Sequence, residues 1–285
     1  LYEALEIEKP VLATLPFVMA IDGKKKLSKR DGVKNVLDYH KDGILTEALI
    51  NFLATLGWND GTEQEIFSKE ELIEKFSLKK VQTSPARFDE ARLIWLNGQW
   101  IRRLSLDELY ERAKEFFPES AKDFDESYKK QVLLLIKDRL KTLRDLTDHT
   151  NYFFTEPEID MSLINGNKQL KKLSKEDLIN LLESATSDFS AIDDFSSQNI
   201  MDVLNNLLEK TGQKPGILFS LIRIATTWAP FSPELDKTLE VIDKEKGIKE
   251  ELENKIGKPV LHMAYPYGSS AEVSEREYGL AKKCG

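Results

Sequence analysis

Apolar residues recur along most of this chain at the three- and four-residue spacing of a helix. Leu45, Ala48, Leu49, Phe52, Leu53 and Leu56 form one such stripe, and Gly57 stands where a helix-ending glycine belongs. Ser68 with Glu71, and Ser105 with Glu108, have the spacing of capping boxes. Long amphipathic patterns follow over about 127–149, 174–186 and 197–211. Further helices are expected over about 216–227, 233–244 and 247–256. The second of these opens on Ser232 and Pro233, a good N-cap and first-turn pair.

The opening of the chain reads differently. Leu1 to Ile7 predicts a short helix, and Leu15 to Ile21 is an apolar run of strand length closed by the turn dipeptide Asp22-Gly23. Residues 24–32 then form a stretch too charged to bury and too short for a helix, so an exposed loop is expected. Pro118 and the Asp/Ser-rich residues around it predict a boundary near 115–125. No internal repeat and no low-complexity linker interrupts the pattern.

Composition narrows the class. At 285 residues, 41% hydrophobic and 32% charged, the chain can build two or three units with their own cores. Its longest apolar runs fall far short of the roughly 20 residues a membrane span needs. A net charge of −8 argues against coating nucleic acid by bulk electrostatics, though not against local basic patches. One cysteine, Cys284, allows no internal disulfide and fits a reducing cytoplasm. His40, His149 and His262 are too far apart in sequence to suggest a zinc site. The start at Leu1, with no initiator Met, looks like a cut inside a longer protein.

Lys26-Leu27-Ser28-Lys29-Arg30 carries the chemistry. Two lysines three residues apart, on a loop closing a strand, can place two ammonium groups around one polyphosphate. Positioning and charge neutralisation dominate phosphoryl and nucleotidyl transfer. When a carboxylate attacks the α-phosphate of ATP, charge grows on the departing pyrophosphate. Lysines that close over it stabilise that state more than the ground state. A basic cluster by itself is more often a solvated loop, and its flanks decide the matter.

The segment resembles the KMSKS loop of class I aminoacyl-tRNA synthetases, in the KLSKR form typical of the glutamyl enzymes. Leu1-Tyr2-Glu3-Ala4-Leu5, Leu15-Pro16 and Asp22-Gly23-Lys24 lead into it as in that family, and Asp31-Gly32 follows. Thr46-Glu47-Ala48-Leu49-Ile50-Asn51-Phe52-Leu53 then runs into Leu56-Gly57-Trp58. Ser84-Pro85-Ala86-Arg87-Phe88-Asp89 and Trp95-Leu96-Asn97 match the family's stem-contacting stretch. The likeness covers about residues 1–255.

The resemblance implies that Lys26 and Lys29 contact the ATP phosphates, with Leu27, Ser28 and Arg30 completing the loop. It implies a mainly α architecture: the end of a Rossmann-type catalytic core over 1–32, a helical stem-contact region over 33–117 and an all-helical anticodon-binding domain over 118–258. Beyond residue 258 the resemblance ends, and it assigns no role to the tail over 259–285. Partners implied are tRNA(Glu), ATP and L-glutamate, with Mg²⁺ arriving on ATP, no metal site in this segment, a monomeric state and a cytoplasmic location. The His-x-Gly-His element of the class is not in this sequence, and the glutamate pocket lies upstream in this family. The chain alone is therefore expected not to form glutamyl adenylate.

In the tRNA-reading half, Arg139 lies among Val132, Ile136, Leu140 and Leu143, at the edge of the expected buried face. Either its stem lies over the core or its guanidinium reads a base edge. The resemblance places it at the third anticodon base, which would favour glutamate over glutamine anticodons. Arg223 interrupts the apolar run Ile217, Leu218, Leu221, Ile222, Ile224 and Ala225, so it is an internal ion-pair partner or an anticodon-loop contact. The resemblance adds Ser232 and Leu235 to that contact. The family commonly has Ala-Leu-Thr-Gly after the arginine, whereas here Ile224-Ala225-Thr226-Thr227 leads to Trp228, which could stack on a base or pack in the core. Lys141, Arg144, Arg102 and Arg103 are candidate phosphate contacts or solvated faces. A standalone tRNA-binding module is the alternative function; a helical scaffold with a chance basic loop is the blandest.

Overall fold

The computed structural model describes every residue except 1, 13, 29–33, 156 and 246–285. It divides into two compact units. The first holds the described residues up to Phe116 together with Lys137–Leu146; the second holds Phe117–Ile136 and the described residues from Thr147 onward. The mainly α class expected from the periodicity holds.

In the first unit the sheet is minimal. β1 (Val18–Met19) runs parallel to β2 (Ala86–Arg87), with Val18 opposite Ala86 and Met19 opposite Arg87. The expected strand over Leu15 to Ile21 is thus only two residues long. Leu15, Phe17 and Ile21 are exposed rather than buried. The expected opening helix is a single 3-10 turn over Glu3–Leu5, ended by a left-handed Glu6.

Helices carry the rest of this unit: α1 (Val36–Lys41), α2 (Thr46–Ala54), α3 (Lys69–Lys75), α4 (Glu90–Arg103) and α5 (Leu106–Ala113). The capping boxes at Ser68/Glu71 and Ser105/Glu108 are both present. Gly57 is left-handed at φ +85 and its carbonyl accepts from the Gln82 amide. Two fully buried asparagines hold the helices in register. Asn51 accepts from the Phe67 amide and the Trp100 indole while donating to the Glu65 carbonyl. Asn97 accepts from the Leu45 amide at 2.7 Å and donates to the Gly43 carbonyl at 3.1 Å and the Lys141 carbonyl at 2.7 Å.

Those bonds explain a departure from the expected pattern. The amphipathic run over 127–149 is not one helix. α6 (Glu126–Ile136) gives way to a 3-10 turn over Lys137–Arg139, and α7 restarts at Asp145 and runs to Phe154. Backbone groups between them turn to the first unit: Asp138 carbonyl to Arg102, Lys141 carbonyl to Asn97, Leu143 amide to the Gly43 carbonyl. Gly43 is required at this crossing. A Cβ there would lie 2.5 Å from the Arg144 nitrogen, and its φ is +76. The Asp145 carboxylate, in the first turn of α7, reaches back to accept from the Lys141 and Thr142 amides, as the acidic residue of a capping box does.

The elements of the second unit, among its described residues, are helices: α6, most of α7, α8 (Ser162–Gly166), α9 (Lys175–Ser190), α10 (Ser197–Thr211), α11 (Pro215–Thr227) and α12 (Leu235–Glu245). Leu181, Leu204, Leu207, Leu221 and Phe189 from α9, α10 and α11 form its main core. A second cluster joins Tyr128, Val132, Phe153 and Val241, with the Tyr128 hydroxyl donating to the Phe153 carbonyl. The expected helix over 247–256 and the 259–285 tail lie outside the described residues. Among the described residues no helix is long and apolar enough to cross a membrane.

Candidate functional site

The phosphate-loop candidate grows out of β1. The chain reverses at Asp22-Gly23, where the Asp22 carboxylate accepts from the Lys24 amide and Gly23 is left-handed. It then returns antiparallel, with Lys26 opposite Met19, the Ala20 amide bonded to the Lys25 carbonyl and the Leu27 amide to the Val18 carbonyl. Lys26 is therefore anchored through its backbone while its side chain stays exposed. Its ammonium lies 3.9 Å from the Phe17 ring centroid. Such a contact at an exposed site stabilises by about 0.5–1 kcal/mol, less than the roughly 1.5–3 kcal/mol of one hydrogen bond to a charged group, so it leaves the ammonium available to phosphate. Ser28 is exposed; Lys29 and Arg30 lie outside the described residues.

The sheet also brings Arg87 to this turn. It pairs with Met19, and its guanidinium packs so closely on Gly23 that a Cβ there would lie 3.0 Å from Nε. Sequence spacing gave no sign of this neighbour, because the two residues meet only through β1–β2 pairing.

Arg139 ends the 3-10 turn over Lys137–Arg139 and is exposed, not set in the edge of a long helix. The tertiary bonds of 138–143 interrupt the helix just there. Among the described residues its side chain has no hydrogen bond or ion pair, and the same holds for Lys141. Arg102 instead donates to the Asp138 carbonyl at 2.9 Å. Arg144 pairs with Asp42 at 3.2 Å, and Arg103 lies over the Trp100 ring. Asp42 also meets Lys34 at 2.8 Å. That hydrogen bond, ahead of the other charges, holds the Asp42 carboxyl below its ordinary value and raises Lys34.

In the second unit the Arg223 Nε donates to the Ser232 hydroxyl at 2.8 Å, so these two expected site residues meet. Leu235 is buried in the main core. α12 starts at Leu235 rather than at Pro233, and Ser232 is a buried hydroxyl bound to Arg223 and the Pro233 carbonyl instead of a free N-cap. Trp228 is buried in the same core with a left-handed backbone, φ +43, and its indole N–H has no partner among the described residues. Core packing, not exposure, is its fate. The exposed aromatic of this loop is Phe231, at 78%. Alternating Pro and aromatic residues over 228–233 gave no signal as to which ring would turn outward. Arg139 lies in the first unit, Arg223 and Ser232 in the second. Among the described residues no group of three or more His, Cys, Asp or Glu gathers as metal ligands.

Two family models match this chain. Residues 1–95 match the catalytic domain of the class I tRNA synthetases for E and Q, and residues 108–249 match the anticodon binding domain. These define a segment of a class I synthetase catalytic domain followed by an anticodon binding domain. A glutamate–tRNA ligase of Moorella thermoacetica is 33% identical over 250 residues, covering 86% of this chain and 50% of the relative. One from Chloroherpeton thalassium is 35% identical over 261 residues, covering 87% and 51%. The crystal structure of a glutamate tRNA ligase from Elizabethkingia meningosepticum, in complex with its amino acid, superposes with a TM-score of 0.74 at 27% identity, over 91% of this chain and 54% of that one. The chain belongs to the class I tRNA synthetases of the E and Q type, on the glutamate–tRNA ligase side of that family. It spans about half the length of the curated relatives it matches.

Proposed function

We propose that these residues serve the ATP-dependent attachment of glutamate to its tRNA, supplying the loop that closes on ATP and the helices that read the anticodon. The observation that carries this reading is the order of the two matches, catalytic domain then anticodon domain, in a chain whose first match holds Lys26-Leu27-Ser28-Lys29-Arg30 just after the turn at Asp22-Gly23. In this reading residues 1–32 end the catalytic core, 33–117 contact the tRNA stem and 118–258 bind the anticodon.

Lys26 and Lys29 neutralise charge on the departing pyrophosphate of Mg²⁺-bound ATP, and Ser28 with Leu27 and Arg30 shapes the loop around it. Arg139, an exposed guanidinium with no partner among the described residues, reads an anticodon base edge. Arg223, oriented by Ser232 and backed by Leu235 in the core, contacts the anticodon loop. The reaction takes tRNA(Glu), ATP and L-glutamate, runs on a monomer and belongs to cytoplasmic translation.

Binding of the 285-residue chain to glutamate tRNA and to an anticodon-swapped transcript tests the reading half. Preference for the glutamate anticodon, reduced by about 1–3 kcal/mol in Arg139→Ala, is expected. Equal, weak binding to both RNAs overturns the assignment.

A further inference from the structure

The loop between α11 and α12 is clamped at both ends and turned outward in the middle. At its start Trp228 adopts a left-handed backbone and is buried in the core, and the Ala229 amide donates to Thr227 Oγ1. At its end Ser232 is 5% exposed and Leu235 4%, and the Ser232 hydroxyl is tied to Arg223 at 2.8 Å. Pro230 and Pro233 restrict the backbone between these anchors. What remains is Phe231, the ring 78% exposed.

A singly exposed apolar residue needs no explanation on its own. This one differs in two respects. Holding it out is costly: a bulky residue in the left-handed region and a buried indole N–H without a partner among the described residues are both unfavourable, and both occur at the clamp that presents it. It is also the residue next in sequence to the serine that tethers the Arg223 guanidinium, and both lie within the stretch matched by the anticodon binding domain.

We propose that Phe231 is a stacking platform for one unpaired base of the bound RNA loop. An aromatic face supports any base through its π surface, so it adds affinity without choosing sequence. Arg223, tethered by the serine that follows Phe231 in the chain, supplies polar contacts that a ring lacks. The assignment rests on the tRNA-reading function proposed above and adds to it a contact that is indifferent to base identity.

The test uses the full chain and glutamate tRNA, with Phe231→Ala, Phe231→Leu and Phe231→Trp measured beside the parent. Because the ring is exposed, all three are expected to keep the parent's far-UV circular dichroism and melting temperature. Phe231→Ala is expected to weaken binding about tenfold or more, and equally for the anticodon-swapped transcript if that RNA binds measurably. Phe231→Trp should restore affinity and show fluorescence quenching on binding; Phe231→Leu should not restore it. Placing an abasic residue at each loop position in turn should reveal one position where Phe231→Ala no longer matters. Unchanged affinity in Phe231→Ala, with anticodon discrimination intact, overturns the platform and leaves the reading function standing. Leucine as good as phenylalanine overturns stacking in favour of simple apolar contact. A parent chain that binds no RNA selectively overturns the reading function, and the platform with it.

Discussion

The first twenty-odd residues and the α9–α11 bundle are both rich in apolar side chains, yet they use them in opposite ways. Val11, Leu12, Leu15, Phe17 and Ile21 are all more than half exposed, around a sheet of two residues per strand. Leu204, Leu207, Leu218 and Leu221 are completely buried. In the first region order comes from backbone pairing and one ring–ammonium contact; in the second it comes from burial. Apolar content therefore marks where a core could form, and only the partners available decide whether one does. The candidate residues follow the same division: Lys26 is held by its backbone with its side chain exposed over Phe17, whereas Arg223 is held by its side chain through Ser232.

The contrast can be broken hardest at Asn97, where neither kind of order applies and buried polar bonds do the holding. Asn97→Ala leaves the Leu45 amide and the Gly43 and Lys141 carbonyls without their partner, at about 1–3 kcal/mol each. A loss of about 5 kcal/mol, or failure to fold, is expected in urea titration. Next comes the contrast itself. Leu204→Ala should cost about 3 kcal/mol by creating a cavity. Leu12→Ala, at a residue 72% exposed, should stay within about 0.5 kcal/mol. If the two leucines cost the same, exposure does not distinguish these regions.

The smallest effect concerns the Lys34–Asp42–Arg144 network. The folded state holds Asp42 below its ordinary value, chiefly through the Lys34 hydrogen bond, so the network adds stability that is present above about pH 4. It is lost as pH falls through the lowered value. Asp42→Asn should lower the melting temperature at pH 7 by an amount equivalent to at most about 1 kcal/mol, since the groups are partly solvated. Once the pH is low enough to protonate the carboxyl in the folded state as well, the difference from the parent should close. A gap that persists unchanged at low pH would assign the effect to shape rather than charge.

Local signals were legible in the sequence and distant ones were not. Ser68/Glu71 and Ser105/Glu108 form their capping boxes because every partner lies within three residues, and α10 spans the expected 197–211 for the same reason. The interruption after Ile136 was not legible. The periodicity continues through Leu140 and Leu143, and the groups that overrule it, Asn97 and Gly43, lie 44 and about 100 residues away. The lysine loop and Arg223 stand out as candidates from residue type and flanks. The inward turn of Trp228 and the outward turn of Phe231 depend on a left-handed cap and a buried serine. No spacing rule encodes either.

The close approach at Gly43 has a consequence for how such a protein can be taken apart. Because residues 137–146 belong to the first unit while the chain on either side belongs to the second, the polypeptide passes between the units three times rather than once. A single protease nick at any one passage leaves the units still joined by covalent chain. A gene fragment cut at 117 would strip the first unit of ten of its own residues and leave them unmoored in the second. Two units built this way are not interchangeable cassettes, and exchanging one between relatives requires carrying over the inserted segment's partners as well.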